Sequence, residues 1–342
     1  MRKPTARGPL SSAVLANLAG PPQDGLAEQL PLPAPDAWPE PEDVMYDGDV
    51  QLALFCLYEL HYGGLDGVAD GWEWHPELIR ARTSLERGFE AALRRMAAVP
   101  PLPEPAAEPV AAGLFALTAD DGGPSLSRYV AKEATGEQLR EFLILRSIYQ
   151  LKEADPHSWA IPRLGGRAKA ALVEIQSDEY GGGRPERMHS GLFARAMRGA
   201  GLDDAYGAYI DAVPAVTLAA VNMMSLFGLN RRLRGAIVGH LAAYEMTSSI
   251  PNKLYSRGFR RLGYGADVRD YFDEHVEADA VHEQIAGRDM AGGLAEAEPA
   301  LLADIFFGAA AALAVDALVG RHQLEAWQAG RSALLVPADA PA

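Results

Sequence analysis

The chain has 342 residues, 49% of them hydrophobic and 23% charged, with a formal net charge of −15. This is an ordinary globular composition, long enough for one large domain or a domain plus an appendage. The acidic balance argues against nucleic acid and anionic membrane surfaces as partners, and it sits with a cationic or amine substrate. The lone Cys56, within LALFCLYEL, excludes an internal disulfide and a cysteine-ligated cluster, and reads as a buried, inert thiol.

The N-terminal MRKPTARGPLSSAVLANLAG lacks the apolar run of a signal peptide, so a flexible start and a cytoplasmic compartment are expected. Residues 1–49 are Pro-rich, acidic and expected to be partly irregular. DVQLALFCLYELHYGG has helical apolar spacing and stops at Gly63-Gly64. HPELIRARTSLERGFEAALRRMAAV starts with Pro76 in its first turn. VPPLPEPAAEPV (99–110) is too Pro-rich for a helix or a central strand and reads as a linker or wrapping segment. Residues 1–115 thus form an N-terminal extension with no identifiable chemistry, placed to cap a bundle or to pair two copies.

From about residue 125 the helical period runs nearly to the end. GEQLREFLILRSIYQLKEAD, IPRLGGRAKAALVEIQSDEY, RPERMHSGLFARAMRGAG, RGAIVGHLAAYEMTSSI, NKLYSRGFRRLG, ADVRDYFDEHVEADAVHEQIAGRD and ALLADIFFGAAAALAVDALVGRHQLEAWQ each read as a helix. Ala212–Asn230 is a long uncharged stretch, but Pro214, Asn222 and Ser225 make it a central core helix and not a membrane span. No segment alternates with period two, so the fold class is all-α, with a helical domain over 125–335.

The chemistry begins at His275-x3-Asp279-x2-His282. Steps of four and seven residues return to nearly one helical face, so two imidazoles and a carboxylate share a stripe where a core should be apolar. Bundles build metal sites from facing helices. Candidate partners are His189, between Met188 and Leu192; Glu179, before a glycine triplet; Glu245, among Ala, Met and Leu; and Glu153, closing its helix. Each alone also fits a satisfied core or cap residue. Together they make three histidines and four carboxylates, a donor set suited to Fe(II) or Mn(II) and too large for one ion. Tyr149, Tyr180 and Tyr244 neighbour these ligands as packing residues or as hydrogen-bond donors to them. His157, four residues past Glu153 but across Pro156, reads as a junction residue, and His240 as structural; His61, His75 and His322 read as surface or packing residues. Arg146 and Arg257 are candidates for a substrate carboxylate, with nothing to select between them. Gly181-Gly182-Gly183 lacks the lysine of a phosphate loop and reads as a flexible joint beside Glu179.

The strings RSIYQLKEADPHSWAIPRL, EIQSDEYGGGRPERMH, GHLAAYEMTSSIPNKLYSRGFRRLG and HVEADAVH, in this order, resemble the haem-oxygenase-like di-iron oxidases and oxygenases. The resemblance implies a seven-helix bundle and a ligand set of Glu179, His189, Glu245, His275, Asp279 and His282, all present here. It implies two O2-reactive Fe(II) ions, held weakly enough to be lost, an external electron donor and a homodimer. Glu153 adds the extra carboxylate of the nitrogen-oxygenating members and the fourth of the set. Its spacing resembles the di-iron domain of N-nitrosourea-forming members, which carry a cupin domain for which this sequence has no room. The implied activity is therefore N-hydroxylation, or oxidation to a nitro group, of a small amine, amidine or amino acid in specialised metabolism. Desaturation or C–C cleavage on the same fold is the alternative.

Overall fold

A computed structural model describes residues 1–25, 30–34, 38–119 and 125–336, with residues 277–280 described by backbone alone. Among the described residues there is no strand. The N-terminal part holds α1 (Pro9–Leu18), α2 (Pro41–Tyr46), α3 (Gly48–Glu59), α4 (Pro76–Met96) and α5 (Ala107–Leu117). The bundle continues with α6 (Leu126–Lys132), α7 (Gly136–Gln150), α8 (Asp155–Ser158), α9 (Gly166–Glu179) and α10 (His189–Gly199). It closes with α11 (Ala215–Leu229), α12 (Arg234–Arg261), α13 (Ala266–Gln284), α14 (Gly293–Ala297) and α15 (Leu302–Gln328). A π-helical stretch, Ile285–Gly292, joins α13 to α14.

The helix starts follow local chemistry. The Asp47 carboxylate accepts from the backbone N–H groups of Asp49 and Val50, and Thr135 and Gln138 form a reciprocal capping box at α7. The centre is α12 against α15 on one side and α13 on the other. A Cβ at Gly239 would meet the Ile305 carbonyl, and one at Gly308 the Ala236 carbonyl, so only glycine allows this approach. Counted with its preceding turn, Pro299–Gln328 is long and apolar enough to cross a membrane, but 61% of its apolar window is buried inside the protein. Among the described residues it, and not α11, passes that test of length and apolarity.

Several local expectations are overturned. The start of the chain is docked, not loose: the Met1 ammonium donates to the Gly64 carbonyl, and Arg7 to the carbonyls of Ile210 and Val213. Val14 and Leu18 of α1 join a core cluster that also takes in α3, α4, α11 and α15. The extension and the bundle therefore share apolar interior. The Pro-rich linker ends at Ala106, because α5 opens at Ala107 and holds Pro109 in its first turn, where no backbone donor is needed. Pro251 does not divide two helices but lies inside the 28-residue α12. It forfeits one backbone bond, a small loss against the packing of the whole helix.

Candidate metal centre

Five elements deliver the sequence-predicted donors. α13 brings His275 and His282, two turns apart on its buried face, 6% and 2% exposed. The side chain of Asp279, between them, lies outside the described residues. α9 ends on Glu179 and α10 begins on His189. α12 supplies Glu245 from its buried side. Glu153 sits in the turn after α7, not on the helix, with a side chain only 9% exposed.

The donors fall into two groups. Glu153, Glu179, His189 and His275 offer ligand atoms all within 4.8 Å of one another, and so do Glu179, Glu245 and His282. Glu179 belongs to both. In the first group His189 Nδ1 lies 2.9 Å from Glu179 Oε2, and His275 Nε2 3.7 Å from Glu153 Oε1. In the second, His282 Nδ1 lies 3.3 Å from Glu245 Oε2.

Outer contacts fix what each ring presents. His275 Nδ1 is 2.7 Å from the Tyr271 carbonyl, which can only accept, so the proton sits on Nδ1 and Nε2 faces the centre. His282 Nε2 faces Asp178 Oδ2 at 3.0 Å, leaving Nδ1 for the centre. The Tyr271 hydroxyl lies 2.8 Å from both oxygens of Glu153. Tyr271 and Asp178 escaped sequence reasoning. The signal for Tyr271 was its place four residues before His275, and that for Asp178 its place beside Glu179.

Charge follows this geometry. Burial pulls His275 down, yet the bond to Glu153 and its charge outweigh that and carry it up to about 9. His282 rises to about 9 as Glu245 and then Asp178 overcome burial. Burial lifts Glu153, but His275, His189 and Tyr271 hold it below the usual carboxylate range.

The remaining candidates are sorted by the fold. Tyr180 donates to Asp155 at 2.8 Å and lies 2.9 Å from Ser158 Oγ, so it ties α8 to α9. Tyr149 packs edge-on against Tyr244, and burial together with the charges of Glu153 and Glu179 pushes its phenol well up. His157 and His240 bond each other at 3.1 Å, and burial pulls both down, His157 to about 4, so they form a neutral pair. The glycine triplet is a tight turn: all three residues have positive φ, and a Cβ at Gly181 would strike the backbone of Arg187 and Met188. Arg257 is exposed.

Two observations test whether these residues fit metal. His189 Nδ1 and His282 Nδ1, one in each group, are buried without a hydrogen bond although each faces a carboxylate. Hard oxygen donors mixed with imidazole are the set that suits Fe(II). Two coordination requirements thus stand open where two ions would lie, and the donors fit. A family model described as iron-containing redox enzyme matches residues 140–317, which hold every one of these donors. No curated protein matches the chain.

Proposed function

The chain belongs to the family of iron-containing redox enzymes, and from that premise we propose that it is a di-iron, O2-dependent oxygenase acting on the nitrogen of a small amine, amidine or amino acid. As a member of that family it is an iron oxidoreductase. The di-iron reading rests on Glu179 being common to two donor groups. The nitrogen-oxygenating reading rests on Glu153, a fourth carboxylate that joins the first group beside His275.

Two ferrous ions, when bound, would supply the electrons for O2 activation, and an external donor would restore them. This chain's residues do the rest. His189 and His275 would hold one ion with Glu153, His282 and Glu245 the other, and Glu179 both. The Tyr271 hydroxyl keeps Glu153 in one orientation, and the Tyr271 carbonyl keeps the His275 proton on Nδ1. The enclosure of Glu153 and His275, each nearly buried, excludes bulk water from that side. The anionic oxygens of Glu153, Glu179 and Glu245 would favour the higher charge of bound ferric iron.

The test is anaerobic Fe(II) titration, then O2 and an amine panel, with products read by mass. Uptake of about two irons per chain and products gaining oxygen on nitrogen are expected. Products that lose hydrogen or carbon without gaining N-bound oxygen would sink the nitrogen assignment and favour desaturation or cleavage. Uptake of one iron would sink the di-iron reading.

A further inference from the structure

A surface cleft of about 420 Å³ lies between α4 and the start of α12. Its floor carries Glu86 and Glu90, 2% and 9% exposed, and its rim carries Arg87, Arg94 and Arg232, all exposed. The floor carboxylates are already engaged. Tyr58 and Asn230 donate to Glu86 at 3.1 Å each, and Arg94 and Arg232 both pair with Glu90. What faces outward is therefore basic. Arg80, Arg87 and Arg94 stand seven residues apart, so α4 presents them as one exposed stripe. Arg231 adds to it beside Arg232, in the turn that precedes α12. Among the described residues the side chains of Arg87 and Arg231 make no hydrogen bond and no ion pair. α12 itself opens on Arg234, with no acidic residue in its first turn and no side-chain cap. Cations at that end oppose the helix dipole, so the arginines sit there at a cost to local stability. In a chain with a formal net charge of −15, this concave basic surface favours an anionic partner that other faces repel.

Packed elements join the cleft to the metal centre. Asn230 ends α11 at the cleft. One turn back, Phe227 meets His240 edge-on, 6.4 Å between ring centroids. Gly228 lies so near α8 that a Cβ on it would be 2.4 Å from the Pro156 carbonyl, and Pro156 is three residues past Glu153. His240 in turn bonds His157 at 3.1 Å and lies 4.2 Å, ring to ring, from Tyr244, the chain neighbour of Glu245. Contact thus continues from the cleft to the neighbours of Glu153 and Glu245, one in each donor group.

We propose that this cleft docks the external electron donor, and that the donor is an acidic iron–sulfur carrier protein of the 2Fe–2S ferredoxin class. The inference rests on the proposed function only in needing an external donor, and it holds whichever atom of the substrate is oxidised. The footprint is that of a protein and not of a dinucleotide, since Arg80 and Arg94 are about 21 Å apart along α4. Charge complementarity of this kind sets encounter rate and orientation. A 2Fe–2S cluster carries one electron at low potential. Two reduced carriers would dock in turn, each giving one electron. Two ferric ions would become ferrous and two oxidised carriers would leave, with no atom transferred.

The probe is an oxidised plant-type 2Fe–2S ferredoxin of net negative charge, titrated calorimetrically into the metal-free full chain. Wild-type binding should weaken about tenfold as salt rises from roughly 50 to 500 mM. The double substitution Arg87→Glu, Arg231→Glu should weaken binding about tenfold at low salt. Its melting temperature should match that of wild type, because neither side chain has a partner to lose. The control is Arg257→Glu, Arg260→Glu, two exposed residues that line neither this cleft nor the one beside Arg187. It makes the same change in net charge toward the far end of α12, roughly 35 Å from Arg234, and should leave affinity as it is. No binding by wild type, salt-independent binding, undiminished binding by the cleft variant, or an equal loss in the control would each overturn the site. Tighter binding of an acidic flavodoxin, or displacement of the ferredoxin by NADPH, would overturn the choice of an iron–sulfur carrier. Binding is read without iron or O2. A loaded enzyme that forms no N–O product would therefore defeat the proposed reaction and leave this site standing. A failed titration would defeat the site and leave the reaction to another donor.

Discussion

The Glu153–His189–His275 side of the centre is fastened by the protein interior, whereas the Glu245–His282 side is fastened near the surface. In the first, Tyr271 holds both oxygens of Glu153 and its carbonyl holds His275. Behind Glu153, the buried Lys152 ammonium pairs with Glu59 of α3, and Tyr206 donates to the same carboxylate. Ala154 follows with φ of 77°, a left-handed backbone that L residues adopt only under constraint, and its carbonyl accepts from Gln176. In the second, the partner of His282 Nε2 is Asp178, whose side chain is 61% exposed, and the neighbouring Val281 is 60% exposed. Preorganisation is graded across the two donor groups. Under the proposed di-iron function, an ion at the first group would meet a finished site, and one at the second a site that its own charge helps to complete.

The shared ligand gives the largest expected effect. Glu179→Ala should reduce iron uptake from about two per chain to at most one and turnover to background, since Glu179 belongs to both groups. His282→Ala should instead remove one ion and spare the other. If Glu179→Ala bound the full complement of iron, the two groups would not be halves of one centre.

The extension's role can be broken next. Lys152 and Glu59 are 6% and 0% exposed, a buried pair. Lys152→Met leaves Glu59 uncompensated and should lower unfolding stability by about 3–5 kcal/mol. It should also weaken iron binding at the Glu153 side more than at the Glu245 side, because residue 152 adjoins the turn that aims Glu153. Denaturant unfolding and stepwise iron titration of the variant check both. Equal weakening of the two sides would detach the extension from the centre.

These features were unequally legible in the sequence. The His275–His282 stripe was readable because helical spacing is local, and the all-α class because the period persists over long segments. Glu153 was readable as a residue but not as a geometry. Its aim comes from the left-handed Ala154 and from a lysine partnered 93 positions away in α3, neither of which leaves a local pattern. Tyr271 hid as an ordinary core aromatic, since a ring on a buried face carries no mark of what its hydroxyl does.

A pH titration sharpens the contrast through opposite slopes. In the metal-free protein His275 and His282 are raised from the usual 6.5 to about 9. The stability they add is complete below pH 6.5 and is lost as pH rises through 9. Iron needs the same nitrogens unprotonated, so its affinity should rise across that window. Melting temperature without metal should fall between pH 6.5 and 9, while iron affinity climbs. Parallel slopes would mean that protons and iron do not compete for these rings.

The smallest effects come from the outer contacts, and they compare the two halves most directly. Tyr271→Phe keeps the ring packed against Phe193 and removes only the hydroxyl from Glu153. A ligating carboxylate stripped of its outer donor in an enclosed site should bind iron about 10–100-fold more weakly. Asp178→Asn also alters one outer contact, that to His282. Its side chain is largely in water, where solvent can replace the lost charge, so the change should be a few-fold at most. Chelator competition at each half measures both. If Asp178→Asn costs its half as much as Tyr271→Phe costs the other, then the difference in enclosure has no energetic weight, and the two ions are held alike despite their different surroundings.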